Sequence, residues 1–350
     1  MKKNLIYFSV VIILALLAYF FVFNKREGSY KAADSEFAVT DTNTIGKIFI
    51  ADMRGDKITL ERKEDHWIVN DITKARPESI VTLLRTIAQI KVDIPVANTM
   101  RNSVIKNMAA ENIKVEIYNL ENKKIRSYYV GKPNINYKGN FLLMDESDVP
   151  FIVNIPGYDG IISTRYTTDI MEWKSRNIFN DAINTITEIT VQYPKIPDSS
   201  FTILKNTEGA FALQGRTGFN PEITKYFASQ FKNVNCENYI IDNYKLDSLK
   251  LQQPVCIIST KNTAGETHAI KIYYRPVTYR TKLQFTYEGE EINFDLDKFY
   301  GLMHEDNDLA VIQNFVFGKF LVGPNYFYRQ RPTNKNVLID AMMEDARKKK

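Results

Sequence analysis

The sequence predicts an α+β protein: two tandem, similar modules, each an antiparallel sheet covered by one long helix, placed after an N-terminal transmembrane helix. Three observations carry this reading. Residues 5–23 are an unbroken apolar run. After it, segments that alternate apolar and polar at period two are interrupted by helical stripes. The same succession of signals then occurs a second time, 141 to 144 residues later.

The N-terminal run, LIYFSVVIILALLAYFFVF, contains 19 residues with Ser9 as its only strongly polar side chain. At a helical rise of ~1.5 Å per residue it reaches roughly 28 Å, one bilayer core. Leu5, Ile6, Val10, Ile13, Leu16, Phe20 and Phe23 are the expected anchor residues, with Tyr7 and Tyr19 at the headgroup level. The run is longer than a signal-peptide core and ends in Tyr19, Phe20, Phe21, Val22 and Phe23, too bulky for cleavage, so a retained signal-anchor is expected. A short head bearing Lys2 and Lys3 stays in the cytoplasm. The body is thereby assigned to the periplasmic or extracytoplasmic side of a bacterial inner membrane, behind a single pass.

The formal net charge is +5, but four Lys/Arg lie in residues 1–26 and four more in residues 347–350. The body between holds 38 basic and 41 acidic residues, which argues against nucleic acid as a partner. Two cysteines make no disulfide framework. Cys236, at the end of an expected helix, and Cys256, in an expected strand, read as buried thiols.

Residues 1–26 are thus the anchor with its flanks and residues 27–43 a polar linker. Module 1, residues 44–170, opens with a strand at 45–50 and a hairpin of 57–62 with 66–69. Pro77 then starts a helix whose stripe is Ile80, Leu83, Leu84, Ile87 and Ile90. A shorter helix is expected at 103–110, strands at 113–118, 125–130, 140–144 and 150–153, and a short helix from Pro156 toward Ser163. Residues 171–184 form a junction in which Trp173 is expected to pack between modules. Module 2, residues 185–332, repeats the order: Ile186 answers Ile45, Pro221 answers Pro77, and Ile223, Tyr226, Phe227, Phe231 and Val234 form the second helical stripe. Val255 to Ile258 are matched to Val115 to Tyr118, Tyr273 and Tyr274 to Tyr128 and Tyr129, and Met303 to Met144. Residues 333–350 read as an amphipathic basic tail, frayed in solvent.

The N-terminal anchor, the hairpin Trp67-Ile68-Val69 followed by Pro77 and a leucine-rich helix, and the junction Trp173-Lys174-Ser175-Arg176-Asn177-Ile178-Phe179 together resemble the domain-of-unknown-function family 4340. The resemblance covers nearly the whole chain. It implies a bacterial envelope protein, often encoded beside ABC-2-type exporter permeases and gliding-motility-like auxiliary proteins. It carries over no catalytic residue, because none is assigned in the family.

Chemical signatures are missing. Gly318-Lys319-Phe320 lacks the leading glycine and the hydroxyl residue of a P-loop, and there is no G-x-S-x-G, C-x-x-C or H-E-x-x-H. The acids beside His304, and their counterparts Asp145, Glu146 and Asp148, read as solvated turns before they read as metal ligands. Tyr279, Arg280, Tyr326, Tyr328 and Arg329 have no counterpart in the first module and are the candidate partner surface, since Tyr and Arg are enriched among interface anchors. The expectation is a non-enzymatic envelope protein without cofactor or metal, an accessory or scaffold subunit of a membrane complex such as an ABC-type exporter or gliding-type system. The alternative is a tethered binding module for envelope glycan or peptide.

Overall fold

The computed structural model describes residues 31–279, 281, 284–286, 289, 291–305, 307–328 and 336–347, together with Ile12 and Ile13. Of the predicted site residues, Leu5, Ile6, Val10, Leu16, Phe20, Phe23, Arg280 and Arg329 lie outside these. Among the described residues no helix is long and apolar enough to cross a membrane. The chain divides into two compact units, Met1–Ser175 and Arg176–Lys350.

Unit 1 contains β1 (Ile45–Asp52), β2 (Lys57–Arg62), β3 (Trp67–Val69), β4 (Thr73–Lys74), α1 (Pro77–Gln89), β5 (Lys91–Pro95), α2 (Asn98–Ala110), β6 (Ile113–Asn119), β7 (Lys124–Pro133), β8 (Asn140–Met144), β9 (Phe151–Asn154) and α3 (Ile170–Trp173). Its strands form one antiparallel sheet in the order β4-β3-β2-β1-β6-β7-β8-β9-β5. Pro77 occupies the first helical turn of α1, where its missing N–H leaves no donor unsatisfied. Ile80, Leu83 and Ile87 then face one side of the sheet, over Ile48, Ile50, Leu60, Val115, Ile117 and Tyr128. One helix was expected on each sheet, but α2 covers part of the opposite face. Val104 and Met108 of α2 pack there on Tyr129, Phe141, Leu143 and Ile152. Its first residues, Asn98 to Ser103, show no apolar periodicity, so the sequence signal begins only at its second half.

Unit 2 contains β10 (Asn177–Phe179), β11 (Ile186–Gln192), β12 (Phe201–Lys205), β13 (Phe211–Leu213), α4 (Pro221–Ser229), β14 (Val234–Asn235), β15 (Asn238–Tyr239), α5 (Asn243–Lys250), β16 (Cys256–Asn262), β17 (Thr267–Pro276), β18 (Phe294–Met303), β19 (Asp308–Gln313), α6 (Asn314–Phe317) and α7 (Val337–Arg347). Its main sheet runs β13-β12-β11-β16-β17-β18-β19-β15, the order of unit 1 without an equivalent of β4. Cys236 follows β14 and does not end a helix, because α4 stops at Ser229. Both cysteines are free and buried.

Register makes the likeness of the two sheets specific. Ile48 faces Leu60 and Ile117, as Ile189 faces Ile203 and Thr260. The ladder to the neighbouring strand slips by one residue at the same place, after Ile45 opposite Asn119 and after Ile186 opposite Asn262. Each of these asparagines closes a tight turn: the Asn119 carboxamide accepts from the N–H groups of Glu121 and Lys123, and that of Asn262 from Ala264 and Glu266. The turns need a positive φ, supplied by Asn122 at 61° and Gly265 at 83°.

Register also corrects two matches made from sequence. Tyr128 faces Met144 and Ile270 faces Met303, so the two methionines correspond but Tyr128 corresponds to Ile270, three residues before Tyr273. Likewise Val115, between Ile50 and Tyr128, corresponds to Ile258, between Val191 and Ile270. The two tyrosine pairs draw a sequence alignment toward each other, yet Tyr128 is buried in the core that α1 covers, whereas Tyr273 packs with Leu249 of α5.

Three boundaries also move. Phe37, assigned to a linker, is buried against Tyr128 and Phe151, and the Val39 N–H donates to the Ile87 carbonyl. The corresponding lead-in of unit 2 packs Phe179 edge-on against Phe231, and the Asp181 N–H donates to the Phe231 carbonyl. Trp173, expected between modules, belongs to the core of unit 1. Its Nε1–H donates to the Thr167 carbonyl at 2.9 Å and its own carbonyl accepts from the Arg76 N–H. The C-terminal segment is not a frayed tail through α7: Leu338 and Met342 are buried, and the Val337 N–H donates to the Leu321 carbonyl at 2.8 Å.

Candidate functional site

Each unit carries a cleft at the same end of its sheet, where the first long strand ends, the strand paired with it (β6 or β16) begins and the strand after that ends. In unit 1 these are β1, β6 and β7, and the cleft, of about 790 Å³, is lined among others by Asp52, Arg54, Asn112, Lys132, Thr164 and Thr168. A smaller cleft of about 340 Å³ between α2 and the β7–β8 hairpin shares Glu111, Lys132 and Pro133 with it. In unit 2 a cleft of about 480 Å³ lies against β16, β17, β18 and α5, lined among others by Lys195, Lys245, Gln252, Tyr274, Phe294 and Tyr300. Cys256 faces Ile272 as Ile113 faces Val130, which puts the two clefts in register.

The linings diverge. Asp52 caps the turn after β1, accepting from the Arg54 N–H at 2.9 Å, from the Arg54 guanidinium at 2.9 and 3.1 Å, and from the Thr168 hydroxyl at 2.9 Å. Burial acts to raise its pKa, but the Arg54, Thr168 and backbone hydrogen bonds outweigh it and hold the carboxyl below the usual carboxylate range. The position of Asp52 in the strand is taken in unit 2 by Tyr193, a buried ring whose hydroxyl donates to the Val322 carbonyl at 3.0 Å. The segment after the last strand, which in unit 1 lines the open cleft with Ser163 and Thr164, is in unit 2 the segment on which α7 rests. Unit 1 thus presents a hydroxyl-rich charged cleft, and unit 2 an aromatic one.

The aromatic cleft is opened by a break in the β17–β18 ladder between Tyr274 and Pro276. Asp295, buried there, receives Arg275 Nη1 at 2.9 Å and the N–H groups of Asp297 and Lys298, which fixes the irregular backbone. The rings of Tyr274 and Phe294 lie 4.9 Å apart, tilted by 31°, and the Tyr274 hydroxyl is 3.5 Å from the Leu338 carbonyl of α7. Tyr273 and Tyr300 are buried beside Leu249 of α5, and Lys245 Nζ sits 5.3 Å above the Tyr300 ring.

Of the residues singled out from sequence, Tyr279 is 89% exposed, next to Thr278 of the cleft lining, and Tyr328 is 44% exposed. Neither is a lining residue. Tyr326 is withdrawn from the candidate surface: it is 5% exposed and packs edge-on against Phe227 and Phe327. A tyrosine in an aromatic cluster gives no sequence sign of which side faces solvent. Tyr273 and Tyr274, read as packing residues, line the cleft, and Lys195, Lys245, Phe294 and Tyr300 were missed because they come from three segments distant in sequence.

Elsewhere, titratable groups are engaged with one another. The turn holding Asp145 was read as solvated, but Asp145 folds back onto the sheet. It accepts from Ser127 Oγ at 2.7 Å and Tyr129 OH at 3.3 Å, with Lys114 Nζ at 3.5 Å. The Ser127 bond, then the Lys114 charge, hold its carboxyl below the ordinary value of 3.8 against the opposing effect of burial. A depressed folded-state pKa contributes stability that is complete above the unfolded value and is lost as pH falls through the folded one. Asp145→Asn is therefore expected to be less stable than wild type at pH 7, with the gap closing toward about pH 3, as read from urea midpoints at the two pH values. Asp181 is buried, accepts from Thr260 Oγ1 at 2.5 Å and lies 3.0 Å from His268 Nδ1. The Thr260 proton points at the carboxylate and not at the imidazole, so the trio lacks the relay of a nucleophile activated by a base. His304 Nδ1 pairs with Asp308, and among the described residues no three His, Cys, Asp or Glu side chains converge as a metal site requires.

No family model, no curated protein and no solved structure matches the chain.

Proposed function

We propose that the chain is a single-pass, membrane-anchored, non-enzymatic envelope protein that serves as an accessory or scaffold subunit of a membrane complex such as an ABC-type exporter or a gliding-type system. Its two units are read as duplicated binding modules. The observation that carries this reading is the cleft repeated in register in both units with divergent linings, the arrangement expected of two related surfaces that hold different parts of a partner. The likeness to the domain-of-unknown-function family 4340 and the apolar run of residues 5–23 supply the membrane setting.

The geometry of unit 1 adds a direction. The lead-in from the N-terminus meets the start of β7, where Glu36 pairs with Arg126, whereas the cleft takes Val130 to Pro133 at the far end of the same strand. Four to seven residues of that strand at ~3.3 Å each separate the two by roughly 13–23 Å. Recognition is thus set away from the point of tethering. Purification from mild detergent tests the proposal: a membrane transporter or its auxiliary subunit is expected to co-purify, and recovery of the chain alone under conditions that preserve such complexes contradicts it.

The aromatic lining of the unit 2 cleft favours a second reading, a tethered binding module for envelope glycan or peptide. Aromatic walls with a few polar groups are what small-ligand sites use.

A further inference from the structure

We infer that the cleft of unit 2 binds an acidic saccharide, a pyranose ring carrying a carboxylate. The inference rests on the binding-module reading and names its ligand class. At about 480 Å³ the cleft has the size of a site for one or two sugar rings.

The lining divides into parts that match such a ligand. Tyr274 and Phe294 are half-buried rings whose pairing at 4.9 Å makes a continuous apolar wall. The face of a pyranose, with its axial C–H groups, is an apolar disc that such a wall accommodates. Tyr274 is held in place from behind, with its hydroxyl turned to the Leu338 carbonyl of α7, so the wall exists before ligand arrives.

Charge selects the acid. Among the described residues no Asp or Glu lines the cleft, while Lys195 and Lys245 both do. Lys195 is exposed; Lys245 Nζ lies 3.7 Å from Asp242 Oδ2 and over the Tyr300 ring. Two ammonium groups in the lining of the cleft give a carboxylate a charge-assisted partner. Side-chain amides and hydroxyls, Ser248, Gln252, Gln253 and Thr278, complete the lining and suit sugar hydroxyls, which both donate and accept.

A peptide fits less well. β17 is paired on both sides, to β16 and β18, and offers no open strand edge for an extended backbone to join. Unit 1 provides an internal comparison. Lys132, two residues past Val130, stands where Tyr274 stands two residues past Ile272, so the aromatic wall is absent from the sibling cleft.

The test uses the full chain in detergent and isothermal titration with four probes. These are the N-acetylglucosamine–N-acetylmuramic acid disaccharide, N,N′-diacetylchitobiose (the same N-acetylated rings without the lactyl ether, called chitobiose below), digalacturonate, and a tetraglutamate peptide. At least one acidic saccharide is expected to bind, and the muramyl disaccharide about tenfold or more tighter than chitobiose. Phe294→Ala should abolish saccharide binding. Lys195→Gln, at an exposed position where folding is not at risk, should remove the preference for the acid and its salt dependence. Failure of both acidic saccharides to bind, equal affinity for chitobiose, an unchanged preference in Lys195→Gln, or binding of tetraglutamate alone would each overturn the inference. A chain that binds no acidic saccharide yet co-purifies with a membrane complex loses this inference and keeps the accessory reading. A chain that binds the saccharide but purifies alone does the reverse.

Discussion

Replacing Phe227 by Ala is expected to lower the stability of unit 2 by about 3–5 kcal/mol. The side chain is 1% exposed, on the α4 face that meets the sheet. Its ring is met edge-on by Phe201, Phe231, Phe320, Tyr326 and Phe327, with centroids 5.3 to 6.1 Å away. These neighbours come from β12, from the segment after α4 and from the segment after α6. Truncation removes the transfer free energy of the ring and leaves a cavity that five stiff aromatic neighbours cannot close. Phe227→Leu, which retains most of the volume, should cost well under half as much. Urea unfolding followed by far-UV circular dichroism reads the difference, and hydrogen exchange should place the lost protection in α4 and β12. A loss below about 1 kcal/mol for Phe227→Ala would mean that this cluster is not the core of the unit.

Trp173→Ala should have an effect of similar size, about 3–5 kcal/mol, but in unit 1. Trp173 is 2% exposed, and the residues around it tie the end of the unit back to its beginning. The Arg76 N–H donates to the Trp173 carbonyl at 2.6 Å, Ala75 bridges Lys174, and the Ser175 N–H donates to the Lys74 carbonyl. Pro77 and α1 follow directly, so the tryptophan anchors the entry to the helix that covers the sheet. Trp173→Phe removes the Nε1–H donor while filling most of the space, and about 1–2 kcal/mol is expected for the unsatisfied Thr167 carbonyl and lost contact. Hydrogen exchange in Trp173→Ala should show protection lost at the start of α1 and in residues 163–175. Loss confined to residues 176–350 would restore the junction role that the sequence suggested.

Much of the architecture is legible in the chain because it rests on local periodicity. The strands alternate at period two, the stripe of α1 follows period 3.6, and Pro77 and Pro221 sit where a helix can begin, so the doubled order of elements could be read without coordinates. What escaped depends on contacts distant in sequence. Phe37 is one aromatic residue in a polar stretch, and only the fold brings it to Tyr128 and Phe151. α2 and α5 lie on the second face of their sheets with short apolar stripes, Val104 and Met108 in one and Leu249 in the other, too few for a periodic signal. The three-residue slip at Tyr273 shows how repeated residue types can outvote register when identity is low. The site was less legible still. Aromatic and cationic residues near positions 273–280 pointed to the right strand, but the lining is completed by Phe294, Tyr300, Lys195 and Lys245, which carry no shared motif.

The central claim is that the two clefts hold other molecules of the envelope, and photocrosslinking from within them in living cells tests it most directly. A benzophenone amino acid placed at Lys132 in one cleft, at Gln252 in the other, and at exposed Leu120 as a control gives three matched chains. The account predicts discrete adducts in the membrane fraction from the two cleft positions and none from the control. Absence of adducts from both clefts, or recovery of the chain in the soluble fraction after lysis, would contradict it.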